Sequence, residues 1–276
     1  MSPAAALRGL TAWGPDFEGS TRPAALIRIG LAALALIRFG NELSLFNANN
    51  AAGAVIGVAF FLIAGAALVG LRARLAIGAL GVLIFGLYAL AFAGNGHPTW
   101  SHHHVYLLAI SCVFLSLTDC GRSYALDRWL ALRAAGPGQA PAEHGRLWGQ
   151  RLILLQLSAL YFWTAVDKTD RAFLSGERLE QTFVWVYSGR FLELLLAWPL
   201  LLAVLAIAVV VVEYWLAVAL LIDRWRRWAI PVGLSLHATF YLLLPVNTYS
   251  ATAMVLYLAL LDPAAVHRFL DRIQGR

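Results

Sequence analysis

Charge is scarce in this sequence of 276 residues: Asp, Glu, Lys and Arg make up 13%, against roughly 25% in ordinary soluble domains. A soluble fold of this size needs a charged surface, and here 61% of residues are hydrophobic, more than its interior could hide. Cysteine is nearly absent. Cys112 and Cys120 lie eight positions apart, about 12 Å along a continuous helix, so no disulfide is expected and both read as small apolar fillers. Residues 1–23 lack the uninterrupted apolar core of a cleaved signal peptide, so insertion is expected to begin with the first spanning helix. There is no internal repeat and no second soluble domain.

What is present is apolar length. Windows of about 20 apolar residues, enough to span hydrocarbon, occur near 24–40, 51–70, 75–94, 102–118, 149–166, 199–222, 229–246 and 249–262. The expectation is an all-α integral membrane protein, a single domain over 1–276 with about eight transmembrane helices in one bundle. The 21 Lys+Arg outnumber the 15 Asp+Glu, but they sit in short gaps between apolar runs, which is a topology signal and not a nucleic-acid patch. Arg72 and Arg74 fill one gap, Arg122, Arg128, Arg133 and Arg146 another, and Arg224, Arg226 and Arg227 a third, while 94–101 and 247–248 are free of Lys and Arg. The positive-inside rule then puts both termini, the segment 1–23 and the linker 119–148 in the cytoplasm. Within that linker AAGPGQAP (134–141) reads as flexible. The segment 167–190 falls outside and mixes both signs, so it is read as an outer-side or re-entrant segment. A multi-pass protein of the cell (inner) membrane is expected, with membrane lipids and another membrane protein as its partners.

Ionisable residues inside spanning helices are costly, about 2.5–3.5 kcal/mol at the centre, and therefore face the bundle interior or a cavity. The first segment holds Arg28 and Arg38, with Glu42 one turn beyond Arg38 and placed to pair with it. His104, Ser111 and Thr118 recur at sevens and share an inward face. The run His102–His104 does not suggest a metal site, because neighbours on a helix diverge by about 100°. Tyr161, Thr164 and Lys168 share another face, His237 has Tyr241 one turn on, and Glu213 is a candidate counter-ion for an arginine. With both termini inside, His104, Lys168, Arg38, His237 and Tyr241 reach one outward-facing level. That convergence makes a candidate site.

At these residues the chain resembles a known family. HVYLLAISCVFLSLTDCGRSYALD (104–127), opened by a histidine and closed by Asp119 and Asp127, and QLSALYFWTAVDKTDRAFLSG (156–176), with its Gln, Tyr, Lys and Gly, are similar to segments of the horizontally transferred transmembrane domain (HTTM) family, which includes the membrane domain of vitamin K-dependent gamma-glutamyl carboxylase. In that carboxylase a lysine deprotonates vitamin K hydroquinone with help from a histidine, and oxygen drives epoxidation and carboxylation. The resemblance implies Lys168 as the base and His104 as its helper. It also implies a quinone or vitamin K-like lipid as cofactor.

Two readings stay open. One is base-initiated quinol oxidation or carboxylation in a lipid-facing cavity, without the carboxylase's peptide-binding region, with Arg28, Arg38, Tyr161, His237 and Tyr241 as substrate-binding residues. The other is a non-enzymatic membrane subunit or maturation factor that docks a partner membrane protein, in which Lys168, Asp167 and Asp170 form a structural ion-pair network.

Overall fold

Apolar runs punctuated by glycine, proline and short polar turns fold as helices. The computed structural model describes residues 13–14, 16–48, 50–94, 103–136 and 138–275. In chain order they form β1 (Glu18–Ser20), α1 (Arg22–Phe39), α2 (Ala51–Val69), α3 (Ala73–Phe92), α4 (His103–Leu115), α5 (Leu126–Ala134), β2 (His144–Arg146), α6 (Trp148–Lys168), α7 (Arg171–Leu174), α8 (Glu177–Val186), α9 (Gly189–Leu196), α10 (Pro199–Ala219), α11 (Asp223–Leu243), α12 (Asn247–Leu256) with a 3-10 turn at Tyr257–Leu260, and α13 (Pro263–Gln274). Each of the eight apolar segments expected from the sequence holds a helix among the described residues. Residues 1–12 of the N-terminal segment 1–23, His102 and residues 95–101 lie outside the described residues.

Among the described residues, α2, α3 and α10 are long and apolar enough to cross a membrane. A fourth span is added if α12 with its 3-10 turn and α13, bent by 98°, count as one. The remaining segments fall short for identifiable reasons. Helix α4 has 13 residues, about 20 Å against a hydrocarbon core of about 30 Å. Helix α1 carries three arginines, and α11 opens with Asp-Arg-Trp-Arg-Arg and contains Pro231. The mixed-sign stretch after α6 is divided among the short helices α7, α8 and α9.

Two compact units divide the chain, Met1–Ile153 with Val255–Arg276, and Leu154–Met254. In the first, α3 packs along α4 and α2 packs along α3. A Cβ on Gly81 would sit 2.7 Å from the Ala109 carbonyl oxygen and 2.9 Å from Cys112 Cβ, so glycine lets the two backbones close where hydrocarbon supplies no squeezing force. The turns at one end of this unit are held by polar groups from distant sequence. Asp127 accepts from the backbone N–H of Arg72 (2.7 Å) and of Ala73 (2.8 Å), capping α3. Asp119 donates its backbone N–H to the Arg146 carbonyl (2.9 Å) and accepts from Arg146 N–H with its carboxylate (3.1 Å), in β2, which pairs antiparallel with β1.

Two buried arginines finish that end. Arg28, fully buried, donates to the carbonyls of Cys120 (3.0 Å) and Tyr124 (2.6 Å). Arg22 binds Glu143 and Asp271, both at 2.7 Å, and the His267 carbonyl, tying α1 to the residue that precedes β2 and to α13. Thr118, expected to extend the face of His104 and Ser111, lies past the end of α4. Cys112 and Cys120 are buried free thiols.

The second unit packs α7 and α8 against α10 around Phe173, Ala206 and Val210. Asp170 caps α7 by accepting from Phe173 N–H (2.9 Å) and pairs with Arg178 (3.0 Å), which fixes α8. The expected network of Lys168, Asp167 and Asp170 is therefore not the one formed. Asp170 belongs to Arg178.

Two outcomes follow from this packing. Replacing Asp127 with Ala strands two backbone donors at the start of α3, and we expect a loss of about 1–2 kcal/mol, read as a lowered Tm in detergent. Burial pushes the Cys120 thiol up to about 11, so at pH 8 it is a protonated, covered thiol. N-ethylmaleimide should label it only after unfolding, as mass spectrometry would show.

Candidate functional site

In the second unit, three helices bring four polar side chains into an otherwise apolar interior. The last turns of α6 read Tyr-Phe-Trp-Thr-Ala-Val-Asp-Lys, and the spacing of seven puts Tyr161 and Lys168 on one face. Glu213 is the sole charged residue of α10, and His237 sits in the second half of α11.

Lys168 Nζ donates to Glu213 Oε1 at 2.5 Å. The carboxylate is 1% exposed and the lysine 22%, so the acid is sealed while the amine reaches an edge. Phe173 and Phe240 flank the ammonium, their ring centroids 5.9 and 5.7 Å from Nζ, within the range of a cation–π contact. One helical turn before Phe240, His237 is fully buried, and its Nε2 lies 2.6 Å from Tyr161 Oη. The Phe240 ring lies edge-on to the imidazole at 6.0 Å between centroids, so a single aromatic side chain adjoins both polar pairs. Ser158 of α6 donates to the Ala217 carbonyl of α10, and Thr169 Oγ1 lies 3.2 Å from Tyr214 Oη, clamping the helices on either side of the ion pair.

Beside Lys168 opens a cavity of about 360 Å³. Its walls are mainly apolar, with Phe173, Leu179, Trp185 and Leu244, and its polar groups are Lys168, Asp167, Arg178 and Thr182. Tyr187 Oη donates to the Leu243 carbonyl (2.8 Å), joining the end of α8 to the end of α11 at this rim. Such a pocket, apolar with a few convergent polar groups, suits an amphiphile with an acidic hydroxyl.

The pair is also a proton acceptor of defined stoichiometry. An ammonium and a carboxylate together can take up one proton, leaving ammonium plus carboxylic acid, and the surviving positive charge then holds the substrate anion.

Of the candidate residues read from the sequence, Lys168, Tyr161 and His237 come together here. Tyr241, on the same helix as His237, is 42% exposed, and its carbonyl accepts from Asn247 Nδ2. His104, Arg28 and Arg38 belong to the other unit. His104 is half-buried in the first turn of α4, Arg28 holds the 120–124 turn, and Arg38 pairs with Glu42 at 2.6 Å as its spacing implied. Glu213 neutralises the lysine rather than an arginine. Composition marks the amine but not its partner: Lys168 is the only lysine in the chain, the other 20 basic residues being arginine.

Removing one partner of a buried pair leaves a bare charge, at a cost of about 3–5 kcal/mol, while replacing both with apolar residues is close to neutral. We expect Glu213→Leu to lower stability by that order, and the double variant Lys168→Met/Glu213→Leu to recover most of it, measured by unfolding in detergent. Additive losses would show that the two side chains do not act as a pair.

A family model described as the HTTM domain matches residues 43–263. No curated protein and no solved structure matches the chain.

Proposed function

Because the chain belongs to the HTTM family, we propose that it is a multi-pass membrane protein whose cavity at Lys168 takes a quinol-like or lipidic hydroxyl compound and removes its proton. The observation that carries this reading is the Lys168–Glu213 pair opening on an apolar cavity of about 360 Å³. Inside such a cavity an ammonium counters the quinolate far better than water would, because the surroundings do not screen it. The quinolate formed is electron-rich, and oxygen as oxidant can then take its electrons. Quinol oxidation or carboxylation of the vitamin K-dependent type follows as the class of chemistry, with Lys168 as base once it has passed its own proton to Glu213, so that the substrate's proton restores the ammonium beside a neutral carboxylic acid. Tyr161 and His237, hydrogen-bonded to each other beside Phe240, are proposed to hold that ring against the ammonium.

The same reading has the protein crossing the inner membrane about eight times with both termini cytoplasmic. Arginines favour this threading: Arg22, Arg28, Arg74, Arg122, Arg128 and Arg146 are joined to the turns and strands of one end of the first unit, as the positive-inside rule requires of a cytoplasmic face.

Purified protein in nanodiscs, given a reduced naphthoquinol and oxygen, should oxidise it, and Lys168→Ala should lower the rate at least a hundredfold, the usual contribution of a positioned base. An unaffected rate in Lys168→Ala removes the mechanism. Absence of turnover together with a stoichiometric membrane partner in the purified complex would favour the docking subunit instead.

A further inference from the structure

A second cavity lies in the other unit and has the opposite electrostatic character. Of about 530 Å³, it is bounded by the start of α3, the 119–122 turn and α5, and four arginines line it: Arg72, Arg74, Arg122 and Arg128. Two carboxylates also line it, Asp119 and Asp127, but both are committed. Asp127 spends both oxygens on the backbone N–H groups of Arg72 and Ala73. Asp119 accepts from Arg146 N–H and lies 3.3 Å from each of Arg74 and Arg122. Arg128 pairs with Glu143 (3.1 Å) and donates to the Arg122 and Pro141 carbonyls, so four positive charges meet three carboxylates and the excess is one, at Arg72.

Arg72 sharpens the point. It is exposed, its guanidinium makes no hydrogen bond or ion pair among the described residues, and its backbone sits at φ 44°, a left-handed conformation that an unbranched glycine would adopt at lower cost. The turn sets that guanidinium at the cavity wall.

The surroundings decide what anion fits. Leu75, which lines the cavity, is 70% exposed, and it lies in the first turn of α3, a helix long and apolar enough to span a membrane. On α5, Trp129, Leu130 and Leu132 are exposed, and Arg133 stacks on the Trp129 ring at 3.8 Å. A short helix showing tryptophan and leucine beside arginine has the composition of a bilayer interface. The cavity is thus cationic inside and hydrocarbon-facing at its edge.

We propose that this cavity binds the phosphate of an anionic phospholipid, with the head group among Arg72, Arg74, Arg122 and Arg128 and the acyl chains along Leu75 and the apolar side of α5. Guanidinium groups bind phosphate through paired N–H donors, and basic pockets at the cytoplasmic ends of membrane helices are suited to such head groups. The site is independent of the Lys168 cavity.

Native mass spectrometry of the purified protein, exchanged into equimolar phosphatidylglycerol and phosphatidylcholine, reads the preference directly. We expect phosphatidylglycerol to be retained over phosphatidylcholine, the preference falling about fivefold per arginine removed in Arg72→Gln/Arg122→Gln and surviving in Arg72→Lys/Arg122→Lys. Arg133→Gln, on α5 but outside the cavity, should retain it. Equal retention of the two lipids by the unaltered protein overturns the proposal even if the glutamine variant fails to fold. So does a preference untouched by Arg72→Gln/Arg122→Gln. Inorganic phosphate and glycerol 1-phosphate are the soluble arms: if either raises Tm at the same concentration as much as phosphatidylglycerol does, the ligand is a free phosphate and the lipid assignment falls.

Discussion

A cation in an apolar interior has to be given protein oxygens, because no water is there to solvate it. This requirement organises both units. Arg28 receives two backbone carbonyls and with them fixes the turn after α4. Arg22 receives two carboxylates and a carbonyl and with them gathers the first helix, the residue before β2 and α13. Lys168 receives one carboxylate and two aromatic faces. The first two are enclosed by groups that hold them in place, whereas the third keeps one side toward a cavity. Surroundings thus help to separate a structural charge from one available for chemistry.

The aspartates that close the first family-like segment illustrate the same economy. Asp119 and Asp127 stand eight residues apart, and each reaches backbone N–H groups far away in sequence. The Asp127 carboxylate substitutes for a cap that the local sequence does not supply, since α3 begins after Arg72 with no Ser, Thr, Asn or Asp of its own at that position, while Asp119 fastens strand β2. A motif of this kind can persist for what it holds together, apart from any reaction.

Much of the helical architecture was legible in the sequence, because a run of some twenty apolar residues has few other ways to satisfy its backbone in lipid. The boundaries of α2 and α3 follow from Asn50, Gly70 and the arginines between them. The short α4 was harder, since its apolar pattern runs on through Thr118 while the backbone turns away after Leu115 to meet β2. The i,i+4 pair Arg38–Glu42 was readable because one helix carries both partners. Glu213 with Lys168 was not, since the partners are 45 residues apart and only packing decides which cation a buried acid meets. Asp170 went to Arg178 for a related reason: once it caps α7, the first turn of α8 lies within its reach.

The distribution of basic residue types has one more consequence. Guanidinium groups keep their proton throughout the range in which proteins function, so the arginines that fasten turns and strands carry permanent charge. An amine can release its proton, and the chain has a single side chain of that kind. Histidines aside, positive charge in this protein can be turned off at one atom only, Nζ of Lys168, and that atom lies where an apolar cavity meets a sealed carboxylate. The rest of the scaffold can then hold its shape through any proton transfer there, since none of its fastening charges changes.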